Sequence, residues 1–295
     1  MEWLMLNKIE IEIENKKNGF MSKIFNKNIV IRKKDKENIF IVGNSGFGKK
    51  RISLVIFNEL IEKNLINEKT IVLTTYQCEE FLSILEKGVG RDLKGEDFVF
   101  FDLKGFEKQA EFNKIDFNSK VVQSALNKPT FLVNNYGTFF EDKVFQSILY
   151  NYFKKLPINK GKEIAIFIED AEIFSYFKES SMFSMIEELN QKGYFVVACF
   201  KWVFKLNPLV KRLSNHLIII KSIYNQSSII NLIKPNKIKT TVKNLEDGQY
   251  YYLDNFRLKK EKPVEIKDLN YNSINLVPNI ETITEKIIKY KIGDF

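Results

Sequence analysis

Cysteine and histidine are nearly absent from this sequence of 295 residues, which contains two cysteines and one histidine. Cys78 and Cys199 lie far apart and form no C-x-x-C pair, so there is no disulfide framework and no zinc pattern. The single histidine, His216, precedes the apolar run Leu217–Ile220. In that position we expect a strand residue rather than a base or a metal ligand. These shortages argue against Ser-His-Asp catalysis and histidine-based metal sites.

Long apolar runs are also missing. No stretch approaches the ~20 apolar residues that a membrane-spanning helix requires. The first residues have neither the basic start nor the length of a signal peptide. We therefore expect a cytoplasmic protein without an integral membrane segment.

The charge of the chain leaves the nature of its partners open. Lys and Arg number 46 against 37 Asp and Glu, which gives a formal net charge of +9. Such an excess is typical of proteins that contact an anionic partner such as DNA. The sequence is, however, rich in Lys, Asn, Ile and Phe and poor in Arg and Ala, as expected from an AT-rich genome. Lysine bias of that origin raises the charge without any partner.

Short apolar runs that are typical of buried strands alternate with stretches of helical spacing. The runs lie at Ile39–Val42, Thr70–Thr74, Phe98–Phe101, Thr130–Val133, Ile164–Ile168, Phe195–Cys199 and Leu217–Ile220. Apolar residues recur at steps of three and four within Ile52–Leu60, Val144–Phe153 and Met182–Leu189. This alternation predicts an α/β fold with a mostly parallel sheet flanked by helices.

The two ends of the chain differ from this core. Ile9–Ile13 alternates apolar residues with Glu, as a half-exposed strand does, and Asn28–Arg32 is a second candidate strand. After the candidate strand Gln249–Leu253 the chain becomes charged, with one candidate helix near Ile283–Tyr290. We therefore predict a small N-terminal β addition at 1–34, a core at 35–255 and a C-terminal extension at 256–295.

The strongest motif is Gly43-Asn-Ser-Gly-Phe-Gly-Lys49, which matches G-x-x-x-x-G-K between an apolar strand and an amphipathic helix. Glycines allow successive backbone N–H groups to point at phosphate oxygens, and the helix adds its N-terminal dipole. Lys49 is placed to reach the β and γ phosphates of ATP. The predicted nucleotide-binding residues are Gly43, Asn44, Ser45, Gly46, Phe47, Gly48, Lys49, Lys50 and Arg51.

One position departs from this pattern. The residue after the lysine is normally Ser or Thr, whose hydroxyl binds Mg²⁺. This chain has Lys50 there. An ammonium group cannot ligate a cation and repels one, so ATP binding is expected to survive while Mg²⁺-assisted hydrolysis is in question.

Carboxylates that follow apolar runs are candidates for hydrolysis, which needs one acid on the metal and one to orient water. The fifth run ends in Glu169 and Asp170, with Glu172 shortly after. Either Glu169 holds the metal and Asp170 is the base, or Asp170 holds the metal and Glu172 is the base. The third run competes because it ends in Asp102. We favour Glu169, since a second acid follows it.

With these motifs the sequence resembles the FtsK/HerA-type ATPases that pump DNA, particularly conjugative coupling proteins and virus genome-packaging motors. The strand before Gly43–Lys49 is similar to the strand that presents the loop in these motors. Asp102-Leu-Lys-Gly105 resembles an Asp-Pro-Lys-Gly element of coupling proteins, and the acidic strand follows the loop by ~120 residues, as in this family. Gly193–Lys201 resembles the strand that ends in an Ala-Thr-Gln sensor, and Asn244–Tyr250 resembles the closing element of the domain.

The resemblance implies a RecA-like P-loop core that couples ATP hydrolysis to DNA movement as a homo-oligomeric ring, with virus or mobile-element partner proteins. It also implies an arginine finger from the neighbouring subunit, for which Arg212 is the candidate. The catalytic set is therefore Lys49, Glu169, Asp170 and Arg212. Phe200 replaces the sensor glutamine and Lys50 the loop hydroxyl. These departures support an alternative, a catalytically impaired pseudo-ATPase that keeps the nucleotide as a structural or regulatory element. A P-loop kinase fits the loop but not the late acidic strand.

Overall fold

A computed structural model describes the chain in segments that include its central sheet. The described residues are 8–11, 29–32, 38–44, 46–62, 66–74, 79–94, 97–102, 126–133, 149–150, 152–160, 164–169, 171, 180–201, 213–221, 245–246, 249–254, 257–258 and 264–265.

The helices and strands follow the spacing of apolar residues closely. The helices are α1 (Lys49–Glu62), α2 (Glu79–Val89) and α3 (Ser180–Gln191). The strands are β1 (Lys8–Ile11), β2 (Ile29–Arg32), β3 (Asn38–Val42), β4 (Ile71–Thr74), β5 (Val99–Asp102), β6 (Thr130–Val133), β7 (Ala165–Ile168), β8 (Phe195–Phe200), β9 (Ser214–Ile220), β10 (Gln249–Asp254), β11 (Arg257–Leu258) and β12 (Val264–Glu265). In the predicted helical stretch Val144–Phe153, the described residues 149–150 and 152–153 are helical.

Within the described part of the chain, ten strands form one sheet in the order β11-β10-β9-β3-β8-β7-β4-β6-β5, with β12 also paired to β10. The seven strands from β9 to β5 are all parallel to one another. The strands β10, β11 and β12 are antiparallel. The strand β3, which leads into Gly43–Lys49, lies inside the parallel part. This arrangement confirms the prediction of an α/β, RecA-like core.

Helices cover both faces of the sheet, which explains why its strands are apolar without alternation. Successive side chains of a strand point to opposite faces. Phe40 and Val42 of β3 therefore belong to the cluster that includes Ile186 of α3, while Ile39 and Ile41 belong to the cluster that includes α1 and α2. The core consists of these two layers on either side of one sheet.

His216 is a buried residue of β9, as predicted for a strand residue. Its Nδ1 lies 2.7 Å from the hydroxyl of Tyr252, and the two rings are stacked with centroids 6.0 Å apart. This pair links β9 to the antiparallel strand β10. The histidine therefore stabilises the sheet on the side away from β7.

The ends of the chain contribute short strands. β1 and β2 pair with each other as a separate antiparallel sheet. Two strands of the predicted C-terminal extension, β11 and β12, add to β10 at the edge of the main sheet. The division at residues 34 and 255 stays a prediction, and the candidate helix near Ile283–Tyr290 lies outside the described residues. Among the helices described, none is long and apolar enough to cross a membrane.

Candidate functional site

The predicted phosphate loop, Gly43–Lys49, begins where three parallel strands end together. The N–H of Gly43 donates to the carbonyl of Phe200 at 3.0 Å, and the N–H of Asn44 donates to the carbonyl of Lys221 at 3.3 Å. Phe200 ends β8 and Lys221 follows β9, the two neighbours of β3. The start of the loop is therefore fixed by both flanking strands.

Three glycines of the loop are required for two different reasons. A Cβ added at Gly43 would lie 2.2 Å from Cγ1 of Ile220, so no other residue fits unless the side chain of Ile220 moves. Gly46 and Gly48 have φ angles of 86° and 94°, in the region that side chains rarely adopt. The first glycine thus allows close packing, and the other two allow the turn.

Lys49 is the first residue of α1 and its side chain lies across the loop. Its Nζ donates to the carbonyl of Gly43 at 2.7 Å and to that of Asn44 at 2.8 Å. Only 8% of the residue is exposed. The ammonium group is therefore held inside the turn that G-x-x-x-x-G-K sequences use to bind phosphates.

The first turn of α1 carries an unusual charge. It begins Lys49-Lys50-Arg51 and contains no acidic residue. Cations at a helix N-terminus are unfavourable because the helix dipole is positive there, and adjacent like charges repel. An anion bound at this end relieves both effects, as expected of a phosphate site.

The second position of this helix has an acidic partner from the next helix. The Nζ of Lys50 lies 2.5 Å from Oε2 of Glu80. Glu80 belongs to the first turn of α2, which begins beyond the carboxyl end of β4. Glu80 could not be predicted from the sequence, because nothing in its spacing relates it to the loop.

Glu169 directly follows β7 and is 7% exposed. Its backbone N–H donates to the carbonyl of Leu73 at 3.0 Å. Its carboxylate accepts a hydrogen bond from the hydroxyl of Thr74, the last residue of β4. The acid is therefore buried and oriented at the same edge of the sheet as the loop.

Strand order separates the two acidic strands that the sequence left as alternatives. β7 is two strands from β3, whereas β5, which ends in Asp102, is five strands away. With neighbouring strands ~4.8 Å apart, these separations are about 10 Å and about 24 Å. The strand that leads to Glu169 therefore lies much closer to Gly43–Lys49 than the strand that ends in Asp102, which favours the first alternative.

The remaining predicted site residues either lie outside the described residues or belong to the core. Ser45, Asp170, Glu172 and Arg212 lie outside the described residues, so their roles stay predictions. Phe200 is buried and its ring packs edge-on against Phe40, with centroids 5.2 Å apart. At the end of β8, where the resemblance predicts a sensor residue, the chain therefore presents an apolar side chain to the core.

A lysine that was not predicted also lies beside the loop. The Nζ of Lys221 is 5.1 Å from the centroid of the Phe47 ring, a cation–π distance. The backbone of Lys221 already holds Asn44. Phe47 and Lys221 thus pack the outer side of the loop against the end of β9.

The donor set at the loop does not fit Mg²⁺. The position that normally supplies a hydroxyl oxygen supplies an ammonium group instead, and that group is paired with a carboxylate. Among the residues described, no three His, Cys, Asp or Glu side chains form a cluster that could hold a metal ion.

Comparison with known proteins finds similar structures but no similar sequence. No family model matches this chain, and no curated protein matches it significantly. The genome packaging NTPase of Sulfolobus turreted icosahedral virus 2, in complex with AMP, is 13% identical with a TM-score of 0.43 and covers 78% of this chain and 100% of its own. The plasmid coupling protein TrwB, in complex with ADP and Mg²⁺, is 11% identical with a TM-score of 0.49 and covers 79% and 85%.

A third similar structure contains ATPases 2 and 3 of EssC from Geobacillus thermodenitrificans. It is 12% identical with a TM-score of 0.44, and the match covers 97% of this chain but only 50% of that one. A packaging NTPase and a coupling protein, the two kinds of protein that the motifs resemble, are thus both among the similar structures. At these identities and TM-scores the likenesses assign no activity to this chain.

Proposed function

We propose that this chain binds ATP at Gly43–Lys49 and hydrolyses it to move DNA. The observation that carries the proposal is the position of Lys49. Its ammonium group lies against the carbonyls of Gly43 and Asn44 at the start of a helix whose first turn is entirely basic. A polyanion is the ligand that this arrangement favours.

Binding follows from the loop geometry. Backbone N–H groups of the turn and the N-terminus of α1 supply hydrogen bonds and a positive dipole to the phosphates. Lys49 exchanges its bonds to the loop carbonyls for bonds to phosphate oxygens, which are charged and therefore stronger acceptors. The buried aliphatic part of its side chain keeps the ammonium group at this position.

Hydrolysis is assigned to Glu169. In this step water adds to the γ-phosphorus, the bond to the β,γ-bridging oxygen breaks, and ADP and phosphate leave. The sequence predicted Glu169 as the metal ligand and Asp170 as the base. Because the loop has Lys50 in place of the hydroxyl that binds Mg²⁺, the role proposed here for Glu169 is a different one. Its carboxylate orients the water and accepts its proton, while Lys49 balances the charge that develops on the phosphate oxygens. Asp170 is the second candidate for the proton acceptor.

Coupling to DNA is supported by the sequence motifs and the net charge of +9. The motifs resemble DNA-pumping ATPases, and the similar structures include a genome packaging NTPase and a plasmid coupling protein. Assembly as a ring, with Arg212 reaching the site of the next subunit, is part of the same proposal.

The test is ATP hydrolysis at low ionic strength, with and without duplex DNA. We expect DNA to stimulate turnover and added salt to remove the stimulation, because phosphate contacts weaken as salt rises. Glu169→Gln should lower kcat at least ~100-fold while ATP binding persists. Hydrolysis that is unaffected by DNA at low salt contradicts the motor function.

A second function is favoured by two observations at the site. Lys50 is paired with Glu80 where a metal-binding hydroxyl is expected, and Phe200 fills the sensor position with a buried ring. Both are consistent with a protein that holds a nucleotide as a structural or regulatory element and does not hydrolyse it. Tight ATP binding without measurable turnover, with or without DNA, supports this function over the first.

A further inference from the structure

The pair formed by Lys50 and Glu80 differs from an ordinary surface ion pair in its position. Lys50 follows Lys49 at the start of α1, and Glu80 lies in the first turn of α2. The two helices follow β3 and β4, whose carboxyl ends share the edge of the sheet that carries Glu169. The pair therefore lies at the same edge of the sheet as Gly43–Lys49.

A second ion pair joins the same two helices and serves as an internal comparison. At their other ends, the Nζ of Lys87 in α2 lies 3.0 Å from Oε1 of Glu62 in α1. The side chains of Lys87 and Glu62 are 51% and 43% exposed, whereas those of Lys50 and Glu80 are 34% and 24% exposed. Because solvent screens exposed pairs, the Lys50 pair is the stronger interaction of the two.

The charge balance indicates what Glu80 does. Three adjacent cations at a helix N-terminus repel one another and oppose the dipole, and the carboxylate of Glu80 offsets one of them. A bound triphosphate brings several negative charges to the same place. It therefore competes with Glu80 for the ammonium group of Lys50.

We propose that Lys50 is a built-in cation that takes the place of the divalent metal at the triphosphate, and that Glu80 is its counter-ion when no nucleotide is bound. This proposal rests on the proposed nucleotide binding at the loop. It specifies in addition that the ligand is a nucleoside triphosphate without a bound metal ion.

Two consequences follow for the ligand. An ammonium group neutralises one phosphate charge without needing a vacant coordination position, so chelating the metal leaves affinity intact. A metal–nucleotide complex brings a metal ion close to the ammonium group of Lys50, and the two cations repel each other. The metal ion therefore does not increase the affinity. The chain therefore binds the metal-free form at least as well as the Mg²⁺ complex.

The experiment measures the dissociation constant of ATP for the full chain by titration calorimetry, once with excess Mg²⁺ and once with EDTA. For the unaltered chain the affinity without Mg²⁺ should equal or exceed that with Mg²⁺. Lys50→Thr restores the hydroxyl and should make binding Mg²⁺-dependent, with a loss of about 10-fold or more in EDTA. Glu80→Gln removes the competing carboxylate and should tighten binding in EDTA several-fold.

Lys87→Thr is the matched control, because it breaks the ion pair at the remote ends of the same helices. It should leave both dissociation constants unchanged, and circular dichroism should show that each variant is folded. If the unaltered chain binds ATP only with Mg²⁺, or if Lys50→Thr leaves the metal dependence unchanged, the inference is wrong while nucleotide binding stands. If ATP does not bind under either condition, the proposed function fails and this inference fails with it.

Discussion

The hydroxyl of Thr74 donates a hydrogen bond to the carboxylate of Glu169, although 95 residues separate them in the sequence. Thr74 is the last residue of β4 and Glu169 directly follows β7, and these two strands are adjacent and parallel. Because both are buried, the bond fixes the carboxylate at the edge of the sheet where Gly43–Lys49 lies. The proposed role of Glu169 depends on this orientation.

Replacing Thr74 by Val removes the donor and keeps the shape of the side chain. We expect kcat for ATP hydrolysis to fall about 10-fold or more, since the carboxylate is no longer held. The dissociation constant of ATP should change little, because Thr74 does not belong to the loop. Steady-state kinetics and calorimetry on one preparation measure both quantities.

Thr70→Val is the control for this variant. The hydroxyl of Thr70 donates to the carbonyl of Ala165 at 2.8 Å, so it joins β4 and β7 at their opposite ends. Its removal should lower the free energy of unfolding by about 1–3 kcal/mol, as loss of a buried donor does, without changing kcat. Equal effects of the two substitutions on kcat would show that Thr74 acts only on stability.

Gly43→Ala tests the packing of the loop against β9. The added Cβ would overlap Cγ1 of Ile220, and we expect the free energy of unfolding to fall by about 1–3 kcal/mol. In the double variant with Ile220→Ala, the loss should be smaller than the sum of the two single losses, because the clashing atom is gone. Urea unfolding of the four proteins measures this coupling, and strict additivity would contradict the predicted contact.

The core strands could be predicted from the sequence because they are buried on both faces. All seven apolar runs coincide with β3 to β9, and most ends agree within one residue. β9 is the exception, since it begins at Ser214 and not at Leu217. Ser214 and His216 near its start are polar but buried. Ser214 Oγ donates a hydrogen bond to His216 O, and His216 Nδ1 is hydrogen-bonded to Tyr252 Oη. An apolar pattern does not detect such residues.

The residues of the candidate site could be predicted where a local sequence pattern marks them, as in the loop and at Glu169 after an apolar run. The loop Gly43–Lys49 is a local motif, so its spacing and its place between β3 and α1 identify it. Pairs such as Lys50 with Glu80 depend on which helices and strands are neighbours. Strand order, which the sequence does not reveal, is also what separates Asp102 from the loop. A search for polar residues at the carboxyl ends of all predicted strands would have included Thr74.

Tyr152→Phe tests how a buried hydroxyl in the core affects stability. The hydroxyl of Tyr152 is buried and has no hydrogen-bond partner among the residues described. We expect its removal to leave the free energy of unfolding at neutral pH unchanged or to raise it by up to about 1 kcal/mol. Tyr194→Phe is the control, because the hydroxyl of Tyr194 donates to the carbonyl of Pro157 at 3.0 Å and its loss should destabilise. Destabilisation by Tyr152→Phe that matches the control would contradict the prediction.

The same tyrosines predict how stability changes at alkaline pH. Burial raises the pKa of Tyr152, and the neighbouring Tyr194 raises this pKa further. Burial also raises the pKa values of Tyr194 and Tyr250. Above pH ~10 the unfolded chain loses tyrosine protons that the folded chain keeps, so the free energy of unfolding falls as pH rises. Tyr152→Phe should make this decline less steep, which urea unfolding between neutral and alkaline pH measures.

The affinity of Lys49→Ala for ATP shows whether Lys49 holds the phosphates of a nucleotide, on which the proposed function depends. Calorimetric titration should show ATP binding to the unaltered chain. The variant should bind about 10- to 100-fold more weakly, the loss expected for a charged hydrogen-bond partner of phosphate, while circular dichroism shows the same fold. If Lys49→Ala is folded and binds ATP as tightly as the unaltered chain, the phosphates do not bind at this loop and the proposed ATP site at Gly43–Lys49 is wrong.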